Sequence, residues 1–363
     1  MLYKKKIEKF NESLFENPTS EYRCTPFWAW NKKLRWEDME EQIEVFREMG
    51  MGGFHIHSRI GLDTPYLSDE FMDYVRRCNI KAKEMNMLTW LYDEDKWPSG
   101  FGGGFVTKNH NFRSRYLLFS PYFHENGYYE RGIPQENRLG IDGTLSLIAK
   151  YEVDIKDGYL HSYRRLDNDE TGKNTWYAYR VVSKDLPWFN NEAYVDTLNK
   201  EAVKKFIEVT HERYYEVLGE EFSKSVPAIF TDEPQFVMKQ SLKDPYSRQE
   251  AGIPYTDSFE ESFKKRFKCS FLDKLPEIFW EPEGGKISQI RYWYHEHAAE
   301  LFAVSFADTL GKWCREHNIM LTGHMMAEET LESQTRALGE AMRAYRSFDL
   351  PGIDMLANRY EYS

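Results

Sequence analysis

Apolar residues return along this chain in two rhythms. In the first they recur every third or fourth position: Trp36, Met39, Ile43 and Phe46; Phe71, Val75, Cys78, Ala82 and Met85; Ala299, Phe302, Phe306 and Trp313. That spacing puts each set on one face of a helix. Ser68 precedes the second set as an N-cap, with Asp69 and Glu70 in the first turn. In the second rhythm the apolar residues form short, nearly continuous runs: TPFWAWN (25–31), GGFHIH (52–57), LTWLYD (88–93), PAIFTD (227–232), MLTGHM (320–325) and GIDML (352–356). Runs of that length and character predict strands buried on both faces.

The two rhythms are joined by a repeated signal. Arg47-Glu48-Met49-Gly50-Met51, Lys83-Glu84-Met85-Asn86-Met87 and Arg315-Glu316-His317-Asn318-Ile319 each stand between a helical stretch and a strand. Gly or Asn sits where a helix end takes a left-handed residue. Alternation of strand and helix implies parallel strands with crossover helices. The expected fold is α/β, a (β/α)8 TIM-type barrel, incomplete at its C-terminal end with about six strands. A doubly wound sheet is the alternative, but no GxGxxG or Walker pattern opens a helix.

Between about Phe112 and Asp185 the helical period vanishes. Asn126-Gly127, Asp142-Gly143 and Asp157-Gly158 punctuate runs such as SLIAKYEVDI and NTWYAYRVVS, which predicts an antiparallel β insertion after the third strand. The expected organisation is therefore 1–111 for strands one to three, 112–185 for the insertion and 186–363 for strands four to six.

Composition narrows the function. A formal charge of −11 over 363 residues argues against nucleic acid and against an anionic membrane surface. No apolar stretch approaches a membrane span, and no apolar region follows Lys4-Lys5-Lys6 as a signal peptide would require. Cys24, Cys78, Cys269 and Cys314 are scattered without metal-ligand spacing, as in a reduced cytoplasmic protein. Aromatic residues make up 16%, enough both to fill a core and to stack on sugar rings.

Polar residues gather at the C-terminal ends of the predicted strands, where barrels place their chemistry. They are Trp28, Trp30 and Asn31; His55, His57, Ser58 and Arg59; Asp93, Glu94, Asp95, Lys96 and Trp97; Asp232 and Glu233; His324, Glu328 and Glu329; and Asp354. Carboxylates, histidines and aromatics in one cleft suit glycosidic bond cleavage. That reaction needs one protonated carboxyl and one carboxylate. Glu233 is the first candidate, its acidity reduced by the neighbouring Asp232, and alternation would send those two side chains to opposite sides. Glu328 is the second. Trp28, Trp30, Asn31, His55, His57, Arg59, Asp93, Glu94, Asp95, Trp97, Asp232, His324 and Asp354 are the candidate substrate contacts. His55 and His57 share a strand face and could also hold a metal, while Asp93, Glu94 and Asp95 could hold calcium.

Taken in order, TPFWAWN, GGFHIHSRIGLDTPYLSDEF, WLYDEDKWPSGFGGG, FTDEP, GHMMAEE and PGIDML resemble the catalytic barrel of bacterial glycoside hydrolases, in particular the α-L-rhamnosidases of glycoside hydrolase family 106. The resemblance implies a (β/α)8 barrel, a carbohydrate substrate, a calcium ion in the cleft, and a catalytic acid at Glu233. The extra acids in WLYDEDKWPSG depart from that family and leave the sugar open. Ser363 follows soon after the sixth strand, so weak or no hydrolysis is expected of these residues alone. Oligomeric state, linkage and stereochemistry are open. The rival readings are a metal-dependent amidohydrolase-like barrel, for which His55-x-His57 is the motif, and a non-catalytic carbohydrate-binding protein.

Overall fold

The computed structural model describes residues 9–130, 142–167 and 169–355. Its strands, in chain order, are β1 (Phe27–Trp30), β2 (Gly53–Ser58), β3 (Leu88–Tyr92), β4 (Arg115–Ser120), β5 (Gly127–Tyr129), β6 (Gly143–Lys156), β7 (Tyr159–Leu166), β8 (Thr175–Ser183), β9 (Ala228–Asp232), β10 (Ala251–Pro254), β11 (Met320–His324) and β12 (Leu350–Pro351). They form two sheets.

The first sheet runs β1-β2-β3-β9-β11-β12, and every neighbouring pair is parallel. Spatial order follows chain order without reversal. A doubly wound sheet would reverse at a switch point, so the alternative topology is excluded for these strands. Among the described residues no pairing joins β12 back to β1. The sixth strand needs correcting: pairing occurs at Leu350 and Pro351, opposite Thr322 and Gly323. Residues 352–355 form no strand, and Leu356 lies outside the described residues.

Helices cover one face of this sheet. Trp36–Glu48 and Asp69–Glu84 pack Met39, Ile43, Phe71, Val75, Cys78 and Ala82 against Trp28, Trp30, Phe54, Ile56, Leu91, Ile229 and Leu321. The Ser68 hydroxyl caps the second helix by accepting from the Phe71 N–H at 3.2 Å. Gln289–Phe302 continues through a π-turn at Ala303–Ala307 into Asp308–Glu316 and buries Phe302, Phe306 and Trp313. The repeated signal at the helix ends has one geometry. Gly50, Asn86 and Asn318 have φ of 79°, 55° and 57°. The N–H groups of Met51, Met87 and Ile319 then donate back to the carbonyls of Phe46, Ala82 and Cys314 at 2.8–3.0 Å. This is the Schellman closure, which turns each helix into its strand.

The other face is set by register. Phe27, His55 and Trp90 lie side by side, as do Tyr92, Phe230 and Thr322, and then Asp232 and His324. Alternation gives these residues a common side. Phe27 remains 52% exposed there, while its ring lies 5.0 Å from that of Phe230 and 4.9 Å from that of His57.

The second sheet is antiparallel, ordered β10-β4-β8-β6-β5 with β7 beside β6. Asp157 and Gly158, with φ of 50° and 82°, make the tight turn from β6 to β7. Its edge strand β10 comes from residues after β9. The sheet shares a core of Leu117, Phe119, Tyr151 and Trp176 with Phe259, Phe271, Trp280 and Tyr294. Among the described residues no helix is long and apolar enough to cross a membrane.

Gly323 joins fold to site. It has φ 136°, and a β-carbon there would lie 2.0 Å from the Thr231 carbonyl oxygen. Gly323→Ala should therefore break the β9–β11 register and destabilise the protein by at least about 2–3 kcal/mol. Urea unfolding would check this; a change within about 0.5 kcal/mol would contradict it.

Candidate active site at the strand ends

Strand β9 delivers the first carboxylate. Asp232 is buried, and both its oxygens are engaged: Tyr92 Oη donates to Oδ2 at 2.6 Å and His324 Nε2 lies 2.7 Å from Oδ1. The next residue leaves the strand abruptly. Glu233 has φ +46°, an uncommon conformation for a side chain of its size, and its N–H still donates to the His324 carbonyl at 3.1 Å. The left-handed turn overrides the alternation that would carry Glu233 to the helical face. Its carboxyl instead comes together with His324 and Asp354, with one ligand atom from each within 4.8 Å of the others.

Burial, with Asp232 as its first charged neighbour, pushes the Glu233 carboxyl up to about 7, against the opposing pull of His324. Burial lowers the His324 imidazole, but the Asp232 hydrogen bond and the surrounding carboxylates outweigh it, and the net shift is upward. The bond to Asp232 fixes the proton on Nε2. Nδ1 is buried without a hydrogen-bond partner and lies 4.0 Å from Asp354 Oδ2.

A cleft of about 210 Å³ opens here, lined by Glu233, Met325, Glu328, Glu329, Ile353 and Asp354. Glu233 and Glu328 thus face one space. Glu328 accepts from the Met325 N–H at 3.0 Å, from the Asp354 N–H at 3.2 Å, and from the Tyr345 hydroxyl. Burial and that carboxylate push the Tyr345 hydroxyl up, so it stays a donor. A larger cavity of about 570 Å³ opens at the opposite ends of the strands, beside Arg23, Arg47, Met87 and Ser225. It lacks a comparable convergence of acids and histidine.

The acids after β3 have other work. Glu94 is fully buried, and its two oxygens accept from the N–H groups of Asp95, Gly100, Gly102 and Gly103 at 2.7–3.0 Å. Burial pushes this carboxyl up while the four donors favour its charge. None of those partners can accept an acid proton, so we read Glu94 as ionised. Asp93 is also fully buried and accepts from Ser99 Oγ at 2.6 Å. Burial pushes it up to about 8 and holds the facing His211 down at about 3. Asp95 accepts from Ser58 Oγ and Asn190 Nδ2 at 3.0 and 2.9 Å. Glu94 and Asp93 are therefore not substrate contacts, and the three acids do not converge on a calcium ion.

Trp28 and Trp30 also need correcting. They lie on the helical face, in contact with Phe46, Phe54 and Phe71, and Trp28 Nε1 donates to Gln42 Oε1 at 2.7 Å. They are core, not a stacking platform. Trp97 is half-buried, its ring 5.4 Å from Trp188. Asn31 and Arg59 are exposed at the ends of their strands. His55 and His57 sit among Phe27, Trp90 and Tyr92; burial lowers them to about 3 and about 4. Both are neutral at pH 7, and neither belongs to a metal-binding cluster among the described residues, which weakens the amidohydrolase-like reading.

No family model matches this chain, and no curated protein matches it. Among solved structures, a rhamnosidase from Novosphingobium sp. PP1Y superposes with a TM-score of 0.59 at 13% identity, over 93% of this chain and 49% of that one. The fold resembles that of a rhamnosidase. This chain spans about half the length of that protein. A trehalulose synthase variant aligns at a TM-score of 0.28 and 10% identity, over 83% of this chain and 44% of the other; a score that low supports nothing further.

The cation implied by the sequence resemblance can be tested against these side chains. Glu233, His324 Nδ1 and Asp354 converge, and the orphaned imidazole nitrogen has the chemistry of a ligand. With Asp232 behind it, His324 has the carboxylate–histidine arrangement common at metal centres. The set does not fit calcium: one donor is nitrogen where calcium prefers oxygen throughout, and a Glu233 carboxyl raised to about 7 is a poor ligand while protonated.

Sequence reading missed Tyr92, Ser99 and Tyr345, which hold Asp232, Asp93 and Glu328. Ser99 was within sight in the WPSG motif; Tyr92 passed as one more apolar residue of its strand. The elevated Asp93 has a thermodynamic consequence. Its carboxyl titrates near 8 when folded and near 3.8 in an ordinary setting, so between those values the folded state holds a proton the unfolded chain has released. Stability should fall as pH rises through that window, by up to about 1.4 kcal/mol per pH unit from this group. Asp93→Asn should flatten the decline in thermal melts between pH 5 and 8.5; an unchanged slope would contradict the assignment.

Proposed function

We propose that this protein is a glycoside hydrolase, with Glu233 as its general acid and Glu328 as the second carboxylate. One observation carries the reading: a carboxyl raised to about 7 shares a cleft with a second carboxylate that three donors hold as an acceptor. Glycosidic cleavage uses one carboxyl on each side of the protonation divide. Glu233 gives its proton to the leaving oxygen, and Glu328 activates water or attacks the anomeric carbon. His324, oriented by Asp232, offers Nδ1 to a sugar hydroxyl, and Asp354 supplies a further acceptor. His55 and His57 lie deeper on the same sheet face, and Asn31, Arg59, Asp95 and Trp97 border it. The likeness in fold to a rhamnosidase supports a carbohydrate substrate, and α-L-rhamnosides are the first to try.

The test is a panel of aryl glycosides. Turnover of one of them should fall by about 10²–10⁴-fold in Glu233→Gln while binding of the sugar is kept within a few-fold. If Glu233→Gln retains full turnover, Glu233 is not the acid. The pH dependence gives a second check. The acid must be protonated, so kcat should fall as pH rises above about 7 and Glu233 ionises. A rate that rises through pH 7–8 would oppose the assignment.

A further inference from the structure

Helix Gln289–Phe302 carries Arg291 and His295 four residues apart, on one face. The segment after β9 brings Lys239 into their field, and the helix Leu331–Ala337 adds Arg336. Backbone bonds fix the meeting. The Lys239 N–H donates to the Arg336 carbonyl at 2.8 Å, the Phe236 N–H to that of Ala337 at 3.0 Å, and the Gln240 N–H to that of Gly252 at 2.8 Å. Lys239, Arg291 and His295 are half-buried and Arg336 is exposed.

Four basic side chains gather here in a protein of net charge −11, and their acceptors are few. Among the described residues, Lys239 Nζ reaches only the Ser241 hydroxyl, at 3.3 Å. Arg291 has Glu281 3.6 Å from Nη1, itself 54% exposed, and its buried Nε has no partner. Arg336 Nε donates to the Lys239 carbonyl at 3.3 Å. The acids of the same helix turn elsewhere: Glu296 and Glu300 pair with Arg343, which Glu340 also meets. Burial, reinforced by Arg291 and Arg336, pulls the Lys239 ammonium down to about 8. Burial, with Lys239 and Arg291, pulls His295 down to about 4. Partly desolvated like charges with so few acceptors are unfavourable unless a ligand brings the opposite charge.

We propose that Lys239, Arg291 and Arg336, flanked by His295, form a subsite for an oxyanion group: a carboxylate, sulfate or phosphate. A guanidinium with a free Nε–H and a neighbouring ammonium are the donors such a group needs. Lys239 lies six residues beyond Glu233 on the same segment, so the two are at most ~20 Å apart. The anion is then either free in solution or a substituent on a molecule whose other end lies in the cleft. The subsite stands whether or not the cleft hydrolyses glycosides.

Acylation of the whole protein, read by peptide mass spectrometry, tests it without a variant. Lys239 should be among the first lysines labelled near pH 8. Sulfate should protect it at constant ionic strength, where chloride does not. Arg291→Met should weaken that protection by at least about tenfold, and Lys264→Met, on an exposed site, should leave it unchanged. A second arm compares a carboxylated oligosaccharide with its neutral counterpart. Protection by the carboxylated sugar assigns the subsite to a substituent, and protection by sulfate alone assigns it to a free oxyanion. Equal labelling in chloride, sulfate and both sugars overturns the proposal, as does equal protection by the neutral sugar.

Discussion

A buried carboxylate organises the C-terminal edge of the parallel sheet. Glu94 sits where β3 ends, and its four backbone donors come from the loop of residues 95–103. An ionised group of that kind is costly to bury unless it is saturated with donors, and saturation fixes the loop that supplies them. The same loop presents Ser99, whose hydroxyl donates to Asp93 and accepts from the Asp232 N–H at 2.8 Å. It also places Phe101 in the core and Asp95 against Ser58. The loop after β3 is thereby tied to the end of β9, and β9 to β11 through Asp232 and His324. Position at the cleft descends from charge burial two strands away.

Much of this was legible in the sequence. The helix periods and the helix–Gly/Asn–strand signal are local, and local signals survive folding intact: all three predicted left-handed positions have positive φ. Five of the six parallel strands match their predicted runs, one of them (β2) overrunning by a single residue, because a strand buried on both faces leaves a continuous apolar imprint. The sixth was displaced because Leu350 and Pro351 at the edge leave almost no imprint, and β10, with the sequence AGIP, leaves none.

What the sequence hid was direction. FWAW is apolar at every position, so nothing in it says that Trp28 and Trp30 turn toward helices while Phe27 turns to the opposite, more open face. Asp93, Glu94 and Asp95 are chemically near-identical neighbours with three different fates, set by which backbone N–H groups and hydroxyls surround each. Glu233 was picked for its type and place, but its entry to the cleft depends on a left-handed turn that propensity argues against. The basic cluster escaped notice because Lys239, Arg291, His295 and Arg336 are dispersed over a hundred positions of an acidic chain.

The excursion between β3 and β9 bears on how the chain reaches this state. Leu91 pairs with Ile229, so the register at the heart of the parallel sheet joins residues separated by the antiparallel sheet and two helices. Closing so long a loop as flexible chain would carry the largest entropic penalty in the sheet, although that penalty grows only slowly with length. The intervening strands bring Phe119, Tyr151 and Trp176 to an apolar core that Phe259, Trp280 and Tyr294, from beyond β9, complete. Once both parts have collapsed, Tyr92 and Ala228 are held near one another, and pairing of β3 with β9 becomes a short-range docking instead of a long search.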